Sequence, residues 1–420
     1  MDSGEVMDMN RRKFLGTAGQ AVAALAAARY GFAQSAPRPP ANVRIYRDPA
    51  DRRLITETDM YYLGSFNCPM DNGWENAGFA VAFNPVGNGG AGSLFVQGRH
   101  VNGGVQVAEI AIPTPKSSSY ITASVMRPMT NLATGSCPTG STAAEGLCVL
   151  NTPNGWKLHW TLRDYYAQVS NPRFGHGYCD LDFTNKRGAW RLEGLGYNME
   201  AGYLFEIPAA WASVHCGGRR LGTGLSSDNG SATTNWGAAM YAIAPWLESI
   251  VPPPDQSALP YTKLLEYPYE ESGVVNSTST VGGFSGYKYP GADRIFGVAW
   301  LEDGTGRQGI LCVGREGSGG VRYKDPTACE TGGQATDPYH FKWWFIDSAD
   351  IEAVLAGTRP ALSVGPYREY TPGAEWPAST ADSCARMQTG VTFDRTNRKV
   401  YILNNRAAGT QAMVHVYRVG

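Results

Sequence analysis

The sequence predicts an all-β protein, and three observations carry this prediction. Helical periodicity is almost absent from the 420 residues, whereas short apolar or alternating segments recur between turns rich in Gly, Pro, Asn and Asp. The 51 Gly, 26 Pro and 22 Tyr are typical of a turn-rich, aromatic-rich β protein. The segments also fall into repeated groups of four, with one segment spare at the start and one missing at the end.

Each predicted element follows from this grouping. A single strand pattern, "DMYYLGSF", comes first at residues 59–66. The first group has strand patterns at residues 78–85, 93–99, 106–113 and 120–126. Further groups of four occupy residues 145–195, 200–268 and 293–370, with short helices predicted at residues 208–214 and 348–357. The last group has only three strand patterns, at residues 389–394, 399–405 and 412–419.

The spare first strand and the incomplete last group explain each other. A ring of four-stranded blades closes when the N-terminal strand completes the C-terminal blade, which removes two exposed sheet edges. The sequence therefore predicts a five-bladed β-propeller over residues 58–420. Six or seven blades are the alternative counts, and a double-sheet sandwich is the alternative fold, although a sandwich does not account for the two ends of the chain.

Two similar segments illustrate the repeat. "SLFVQGRH" ends at His100 and "GILCVGRE" ends at Glu316. Both are predicted to be the second strand of a blade, which explains their likeness without shared chemistry. If second strands end at a common face, His100 and Glu316 lie near one ligand site.

The N-terminus predicts export. "NRRKFLG" at residues 10–16 contains paired arginines, an alanine-rich apolar stretch follows over residues 15–28, and small residues suited to cleavage lie at residues 31–33. Residues 1–33 resemble a twin-arginine signal peptide, and residues 34–57 are predicted to be a Pro-rich linker. The expected partner is the twin-arginine export machinery, the expected location is the periplasm or the outside, and no membrane anchor is expected after processing.

The eight cysteines favour disulfides in an exported chain. The short loop between Cys137 and Cys148 suits a local bridge, and Cys68 and Cys384 could join the two ends of the domain. Cys179 and Cys312 lie inside strand patterns and are expected to be buried free thiols.

Composition and motifs exclude several classes of function. The net charge of −1, with 17% charged residues and no basic stripe, argues against nucleic acid as a partner. The sequence has no Gly-rich nucleotide loop after a strand, no HExxH, no CxxC and no G-x-S-x-G. We therefore expect no cofactor and no catalytic metal; a structural calcium ion would leave no signal of this kind.

Propeller geometry gathers polar residues at one face. First strands begin and second strands end at that face, so the flanking residues meet at the central funnel. After second strands come His100, Asp164, Tyr165, Tyr166, Arg315, Glu316 and Asn405. Before first strands come Glu75, Glu145, Glu200, Arg294 and Arg386, and His176 lies in a loop at the same face.

This mixture suits a polar or hydroxyl-rich ligand, and three chemistries fit it. Glycoside hydrolysis needs two carboxyl groups, β-elimination at a uronic acid needs a base and a cation, and binding alone needs aromatic platforms. The predicted catalytic residues are His100, His176, Tyr166, Glu316 and Glu75. The predicted substrate-binding residues are Arg315, Arg294, Arg386, Asp164, Tyr165, Asn405 and Trp236. We expect an exported enzyme that cleaves a glycosidic bond, with a non-catalytic carbohydrate-binding or ligand-binding propeller as the alternative.

The runs "AFNP…SLFVQGRH…VAEIAIP", "GYLFEIPAAWA…GGRRLGTG" and "GVTFD…VYILNN…VHVYRV" resemble a bacterial family of exported, propeller-like proteins that is largely uncharacterised. The resemblance covers nearly the whole chain after residue 57 and rests on scaffold motifs, so it implies the fold and not the chemistry. More distantly, the layout is similar to propeller glycoside hydrolases and polysaccharide lyases, as an analogy of architecture.

Overall fold

The structure is a computed structural model. It describes residues 53–70, 73–74, 78–99, 104–133, 142–164, 175–195, 200–225, 238–246, 252–267, 294–317, 322–323, 334–335, 339–373, 375–376, 387–408 and 410–420. The chain divides into residues 1–44 and 45–420, and all described residues lie in the second part. The predicted signal peptide therefore lies outside the described residues.

The described strands form five blades, as predicted. Strand β1 (Met60–Asn67) comes first in the chain. Blade 1 contains β2 (Val81–Asn84), β3 (Ser93–Gln97), β4 (Gln106–Ala111) and β5 (Val125–Asn131). Blade 2 contains β6 (Thr142–Thr152), β7 (Gly155–Asp164), β8 (His176–Asp180) and β9 (Arg187–Leu192). Blade 3 contains β10 (Tyr203–Glu206), β11 (Leu221–Leu225), β12 (Ala239–Ile243) and β14 (Tyr261–Glu266), and helix α1 (Ala209–His215) follows β10.

A short strand links blades 2 and 3. Strand β13 (Ala258–Leu259) comes from the segment that leads to β14, yet it pairs in parallel with the outer edge of β9 in blade 2. This strand is not predicted from the sequence, because two residues are too few to show a pattern.

The last two blades complete the ring. Blade 4 contains β15 (Arg294–Glu302), β16 (Gln308–Gly317), β19 (Tyr339–Ile346) and β20 (Arg368–Tyr370). Between β16 and β19 lies a small hairpin of β17 (Arg322–Tyr323) and β18 (Gln334–Ala335), and helix α2 (Ser348–Leu355) follows β19. Blade 5 contains β21 (Gln388–Asp394), β22 (Lys399–Ala408) and β23 (Gln411–Val419).

The N-terminal strand supplies the fourth strand of blade 5, which confirms the predicted closure. Strand β1 pairs antiparallel with β23 along its whole length, from Met60 opposite Val419 to Asn67 opposite Met413. The sheet order is therefore β1, β23, β22, β21. The preceding segment also contacts blade 4, where the Ile55 N–H donates to the carbonyl of Gln308 at 3.1 Å.

Five hydrophobic clusters lie between neighbouring blades and hold the ring together. Each cluster combines residues of two adjacent blades, and together they occupy all five junctions. The junction of blades 3 and 4, for example, contains Tyr203, Trp300 and Trp344. Burial of such side chains contributes about 1.5–3 kcal/mol each, so the stability of the fold depends on every junction being formed.

Small residues let the inner strands approach each other near the axis. A Cβ on Gly146 of β6 would lie 2.8 Å from the carbonyl carbon of Tyr203 in β10. Similarly, a Cβ on Gly297 of β15 would lie 2.9 Å from the backbone nitrogen of Val391 in β21. Larger side chains at these positions would push neighbouring blades apart.

Some predicted elements differ in detail. Helix α2 begins after Asp347, whose side chain caps it by accepting a hydrogen bond from the Ala349 N–H at 2.8 Å. Strand β5 begins five residues later than its predicted segment. Within the described residues, no helix is long and apolar enough to cross a membrane.

The described cysteines are free. Cys68, Cys148, Cys179, Cys216 and Cys312 are buried thiols without a disulfide. Cys179 and Cys312 agree with the prediction, whereas the bridges suggested for Cys68 and Cys148 are not formed. Their suggested partners, Cys384 and Cys137, lie outside the described residues.

His159 provides a test of the buried interior. It lies on β7 at 1% exposure, with ring contacts to Tyr178 and Trp246, and burial lowers its pKa to about 3. Below the unfolded pKa of about 6.5, the unfolded chain binds a proton that the folded protein excludes, so stability falls as the pH drops from 6.5 toward 3. Because phenylalanine does not titrate, His159→Phe is expected to remove about 2 kcal/mol of the stability loss between pH 8 and pH 5.

Denaturant unfolding at both pH values measures this difference. An equal pH dependence in His159→Phe and in the unchanged protein would contradict a neutral buried imidazole.

Candidate functional site at the upper face

We call the end of the ring where the inner strands begin the upper face, and the opposite end the lower face. The inner strands are β2, β6, β10, β15 and β21, and each packs against its two neighbours in that order around the ring. Second strands of the blades return to the upper face, so β16 ends there. This arrangement reproduces the strand geometry on which the funnel prediction depends.

A buried ion pair crosses the ring at the upper face. Nη2 of Arg294, at the start of β15 in blade 4, donates to Oε1 of Glu145 on β6 in blade 2 at 2.6 Å. Both side chains are 6% exposed. Since blade 3 lies between blades 2 and 4 in the ring, this contact spans the central region instead of one blade junction.

Arg315 lies beside this pair. It is directly opposite Arg294 in the register of β15 and β16, and its side chain is fully buried. Its guanidinium lies 4.3 Å from the ring centroid of Tyr339, while that of Arg294 lies 4.6 Å from the ring centroid of Phe296. Aromatic faces stabilise both cations away from water. We call Glu145, Arg294 and Arg315 the axial cluster.

A second polar group lies between blades 2 and 3. Nε2 of His176, the first residue of β8, is 2.8 Å from the Thr223 hydroxyl, and its Nδ1 is 3.7 Å from Oε2 of Glu200. The same Oε2 accepts a hydrogen bond from the Leu192 N–H at 2.9 Å. Both His176 and Glu200 are more than nine-tenths buried.

Burial changes the protonation of this pair. It raises the pKa of Glu200 to about 8, against the lowering effect of the Leu192 hydrogen bond, and it lowers the pKa of His176 to about 4. At neutral pH Glu200 is therefore a protonated acid beside a neutral imidazole, and the two do not form an ion pair. A carboxyl group in this state can donate a proton to a bound ligand.

Several buried polar atoms at the upper face have no hydrogen-bond partner among the described residues. They are Nδ1 of His176, Oγ1 of Thr161, Nε2 of Gln388 and Oδ1 of Asn405. Gln388 is the first residue of β21, and its Oε1 accepts from Nε1 of Trp343. Since buried polar atoms are normally satisfied, a group of unpaired atoms at one face is typical of a ligand site.

The described side-chain contact of Glu316 is with Lys342 and not with the axial cluster. Neighbouring residues on a strand point to opposite faces, so its side chain is directed away from that of Arg315. Its Oε2 lies 3.5 Å from Nζ of Lys342 on the adjoining strand β19, and both side chains are 20% exposed. The structure thus gives Glu316 a partly exposed ion pair within its own blade.

Other predicted residues lie outside the described residues: His100, Glu75, Tyr165, Tyr166, Arg386 and Trp236. The predicted proximity of His100 and Glu316 therefore stays a prediction. The two segments that suggested it do form the second strands of blades 1 and 4. Asp164 is the last residue of β7.

Sequence reasoning missed Thr161 and Gln388 as polar groups of this face. Thr161 lies inside β7 and Gln388 at a strand start, and neither belongs to a motif. Glu145 and Glu200 were recognised as residues before first strands but were left out of the predicted catalytic set. Within the described part of the chain, no three His, Cys, Asp or Glu residues are grouped so as to hold a metal ion.

Comparisons with known proteins give weak matches. No family model and no curated protein matches the chain. The comparisons therefore do not support membership of the exported family that the sequence resembles. Among solved structures, a thermostable family-43 glycoside hydrolase is 10% identical, with a TM-score of 0.42 over 84% of this chain and 91% of that one. A candidate exo-beta-1,3-galactanase from Bifidobacterium bifidum s17 is 12% identical, with a TM-score of 0.40 over 84% and 92%.

A third solved structure, the hemagglutinin-neuraminidase of parainfluenza virus 5 with the ligand DANA, is 8% identical, with a TM-score of 0.34 over 88% of this chain and 97% of that one. At these TM-scores none of the three matches carries an argument about substrate or reaction. The function has to be inferred from the side chains of the upper face.

Proposed function

We propose that the protein is an exported enzyme that binds a carbohydrate at its upper face and hydrolyses a glycosidic bond. The observation that carries the proposal is a pair of buried glutamates in contrasting environments on neighbouring blades. Glu145 contacts the guanidinium of Arg294, whereas Glu200 is protonated at neutral pH because it is buried. Glycoside hydrolysis needs one carboxyl group that donates a proton and another that acts as a base, a nucleophile or a stabilising charge.

The backbone brings the two glutamates to the same part of the ring. Gly146, next to Glu145, lies against the backbone of Tyr203 and Leu204, a few residues after Glu200. In the proposed reaction Glu200 protonates the leaving oxygen as the glycosidic C–O bond breaks, and Glu145 faces the positive charge that develops on the sugar ring. Water then adds to the anomeric carbon and returns a proton to Glu200. Arg294 orients Glu145, and Arg294 and Arg315 donate hydrogen bonds to sugar oxygens.

The paired arginines also favour a second candidate, β-elimination of a uronic-acid polysaccharide. Two buried guanidiniums directly opposite each other suit a carboxylate of the substrate. This reaction needs a strong base, however, and the lowered pKa of His176 makes it a weak one. Hydrolysis is therefore the leading proposal.

One assay distinguishes these reactions. The purified protein is incubated with neutral and uronic-acid polysaccharides, and both new reducing ends and the ultraviolet absorbance of unsaturated uronides are measured. Reducing ends without that absorbance are expected. An unsaturated product would assign β-elimination, and neither product in a broad panel, together with retained binding, would assign a non-catalytic binding protein.

Glu200→Gln tests the proposed proton donor. Loss of general acid catalysis is expected to lower kcat by about 10²–10⁴-fold. In the unchanged protein kcat should fall as the pH rises through about 8, because Glu200 then loses the proton it must donate. The exposed Glu193, seven residues before it, provides the control variant Glu193→Gln, which should retain full activity. A normal pH profile in Glu200→Gln would exclude Glu200 as the acid.

Export is part of the proposal and has its own support in the paired arginines and apolar stretch of residues 10–28. Replacement of both arginines by lysine should retain the protein in the cytoplasm, and cell fractionation measures this.

A further inference from the structure

A cavity of about 210 Å³ opens at the lower face, at the other end of the ring from the axial cluster. Its wall is built from the ends of the inner strands of all five blades, including Phe83, Val149, Leu204, Val298 and Val391. The residues of the proposed hydrolytic site do not line it. The cavity therefore requires a separate explanation.

The wall combines apolar side chains with three aromatic rings. Phe83 of β2, Trp156 of β7 and Phe393 of β21 all line the cavity. One face of Phe83 is stacked on Tyr401 at a centroid distance of 5.7 Å and an interplanar angle of 12°, which fixes its ring. Fixed aromatic rings provide platforms for the C–H faces of a small ring-shaped ligand.

Charged groups form the rim of the cavity, and each is held in place by another. Oε1 of Glu206 accepts from Nη2 of Arg220 at 2.7 Å, and its Oε2 accepts from Nε of Arg395 at 2.9 Å. Arg395 also contacts Glu302 of blade 4. These four side chains are between 25% and 39% exposed, so the rim is accessible to solvent.

The rim favours a neutral ligand with several hydroxyl groups. The charged residues that line the cavity are two arginines, Arg220 and Arg395, and two acids, Glu206 and Asp394, so their charges balance. The Asp394 carboxylate accepts hydrogen bonds from Asn397. Each carboxylate oxygen of Glu206 retains a lone pair, which can accept from a hydroxyl. Nε of Arg220 is buried without an acceptor among the described residues, and it can donate to one.

The size of the cavity limits the ligand to one ring. A cavity of about 150 Å³ is enough for benzene, whereas drug-sized ligands occupy at least about 300 Å³. A volume of about 210 Å³ therefore suits a single pyranose. We infer that the lower face carries a monosaccharide-binding site, formed by the aromatic platforms Phe83, Trp156 and Phe393 and by the rim of Glu206, Arg220 and Arg395.

The inference does not depend on the proposed reaction, and its test separates the two. Saturation-transfer NMR and calorimetry are performed on the full chain with D-glucose, D-galactose and D-xylose, and phenol serves as an apolar comparison. At least one sugar is expected to bind with a Kd of about 1 mM. Absence of binding by all three sugars at about 20 mM, or displacement of the bound sugar by phenol, would overturn the inference.

Two variants locate the binding. Trp156→Leu removes a platform, and Thr396→Trp covers the mouth from an exposed turn position where the fold is not at risk. Both are expected to weaken sugar binding by at least about 10-fold, which corresponds to about 1.4 kcal/mol. If Trp156→Leu does not fold, Thr396→Trp alone tests whether the sugar binds in the lower-face cavity. Unchanged sugar binding in a folded Thr396→Trp variant would overturn the inference.

The upper-face variant Glu145→Gln completes the design. It should lower the rate of any glycosidic-bond cleavage by about 10²–10⁴-fold and leave monosaccharide binding at the lower face intact. Loss of monosaccharide binding in Glu145→Gln would place the sugar at the upper face instead and overturn the inference. If cleavage is never found, sugar binding that is blocked by Thr396→Trp still supports the lower-face site.

Discussion

A chain that begins at Cys68 is expected not to fold into a stable propeller. Such a chain lacks β1, so the whole outer side of β23 becomes an exposed edge. It also loses four buried apolar side chains, those of Leu54, Ile55, Met60 and Phe66. At about 1.5–3 kcal/mol each, their loss is comparable to the total stability of about 5–15 kcal/mol that is typical of a folded protein.

Thermal unfolding and size-exclusion chromatography measure the outcome. The shortened protein should show no cooperative transition and should associate through β23. A chain that begins at Arg53 is the matched control, because it keeps every described residue, and it should unfold like the full chain. A peptide of residues 53–70 added in trans should restore the transition. Equal transition midpoints for chains that begin at residues 53 and 68 would show that β1 does not close the ring.

Breaking the buried ion pair at the upper face should have the next largest effect. Arg294→Met leaves the Glu145 carboxylate buried beside a thioether, and removal of one partner of a buried pair costs about 3–5 kcal/mol. Glu145→Gln keeps a polar group for Arg294 to contact, so a smaller loss of stability is expected from it. Under the proposed function, Glu145→Gln should also lower kcat by about 10²–10⁴-fold.

Denaturant unfolding of both variants and of the double variant gives the coupling energy between the two side chains. The partly exposed pair of Glu316 and Lys342 in blade 4 is the control, since surface pairs contribute only about 0–1 kcal/mol. Lys342→Met should therefore cost much less than Arg294→Met. If Glu316→Gln rather than Glu145→Gln removed catalysis, the sequence-based choice of Glu316 would be right and the axial assignment wrong.

The sequence predicted the ring because its strands are short, regular and separated by strong turn signals. The closure by β1 followed from the spare strand "DMYYLGSF" and the three-stranded last group, and it required no knowledge of packing. In contrast, β13 was missed because its pairing with β9 depends on how blades 2 and 3 meet in space. Such a contact produces no periodic pattern of apolar residues in the sequence.

The candidate site was only partly predictable, for a related reason. Strand-end geometry placed Glu145, Glu200 and Arg294 at one face, but it did not reveal which of them touch. The contact between Glu145 and Arg294 joins blades that are separated by a third blade, so it depends on how blades 2, 3 and 4 are assembled. The raised pKa of Glu200 likewise comes from burial between blades 2 and 3, which no local pattern encodes. The same holds for the lower-face cavity, to which all five inner strands contribute.

The pairing of the two ends of the chain has a consequence for biogenesis. The Ser65 hydroxyl and Nδ1 of His415 are 2.6 Å apart, although 350 residues separate them in the sequence. The last blade therefore cannot assemble until β23 has left the ribosome, so ring closure depends on a contact of long sequence separation. A secretion route that threads the chain unfolded would present β1 outside long before its partner arrived, whereas a route for folded cargo delivers both ends together. The pairing of β1 with β23 therefore fits the proposed export of a folded protein, with ring closure before translocation.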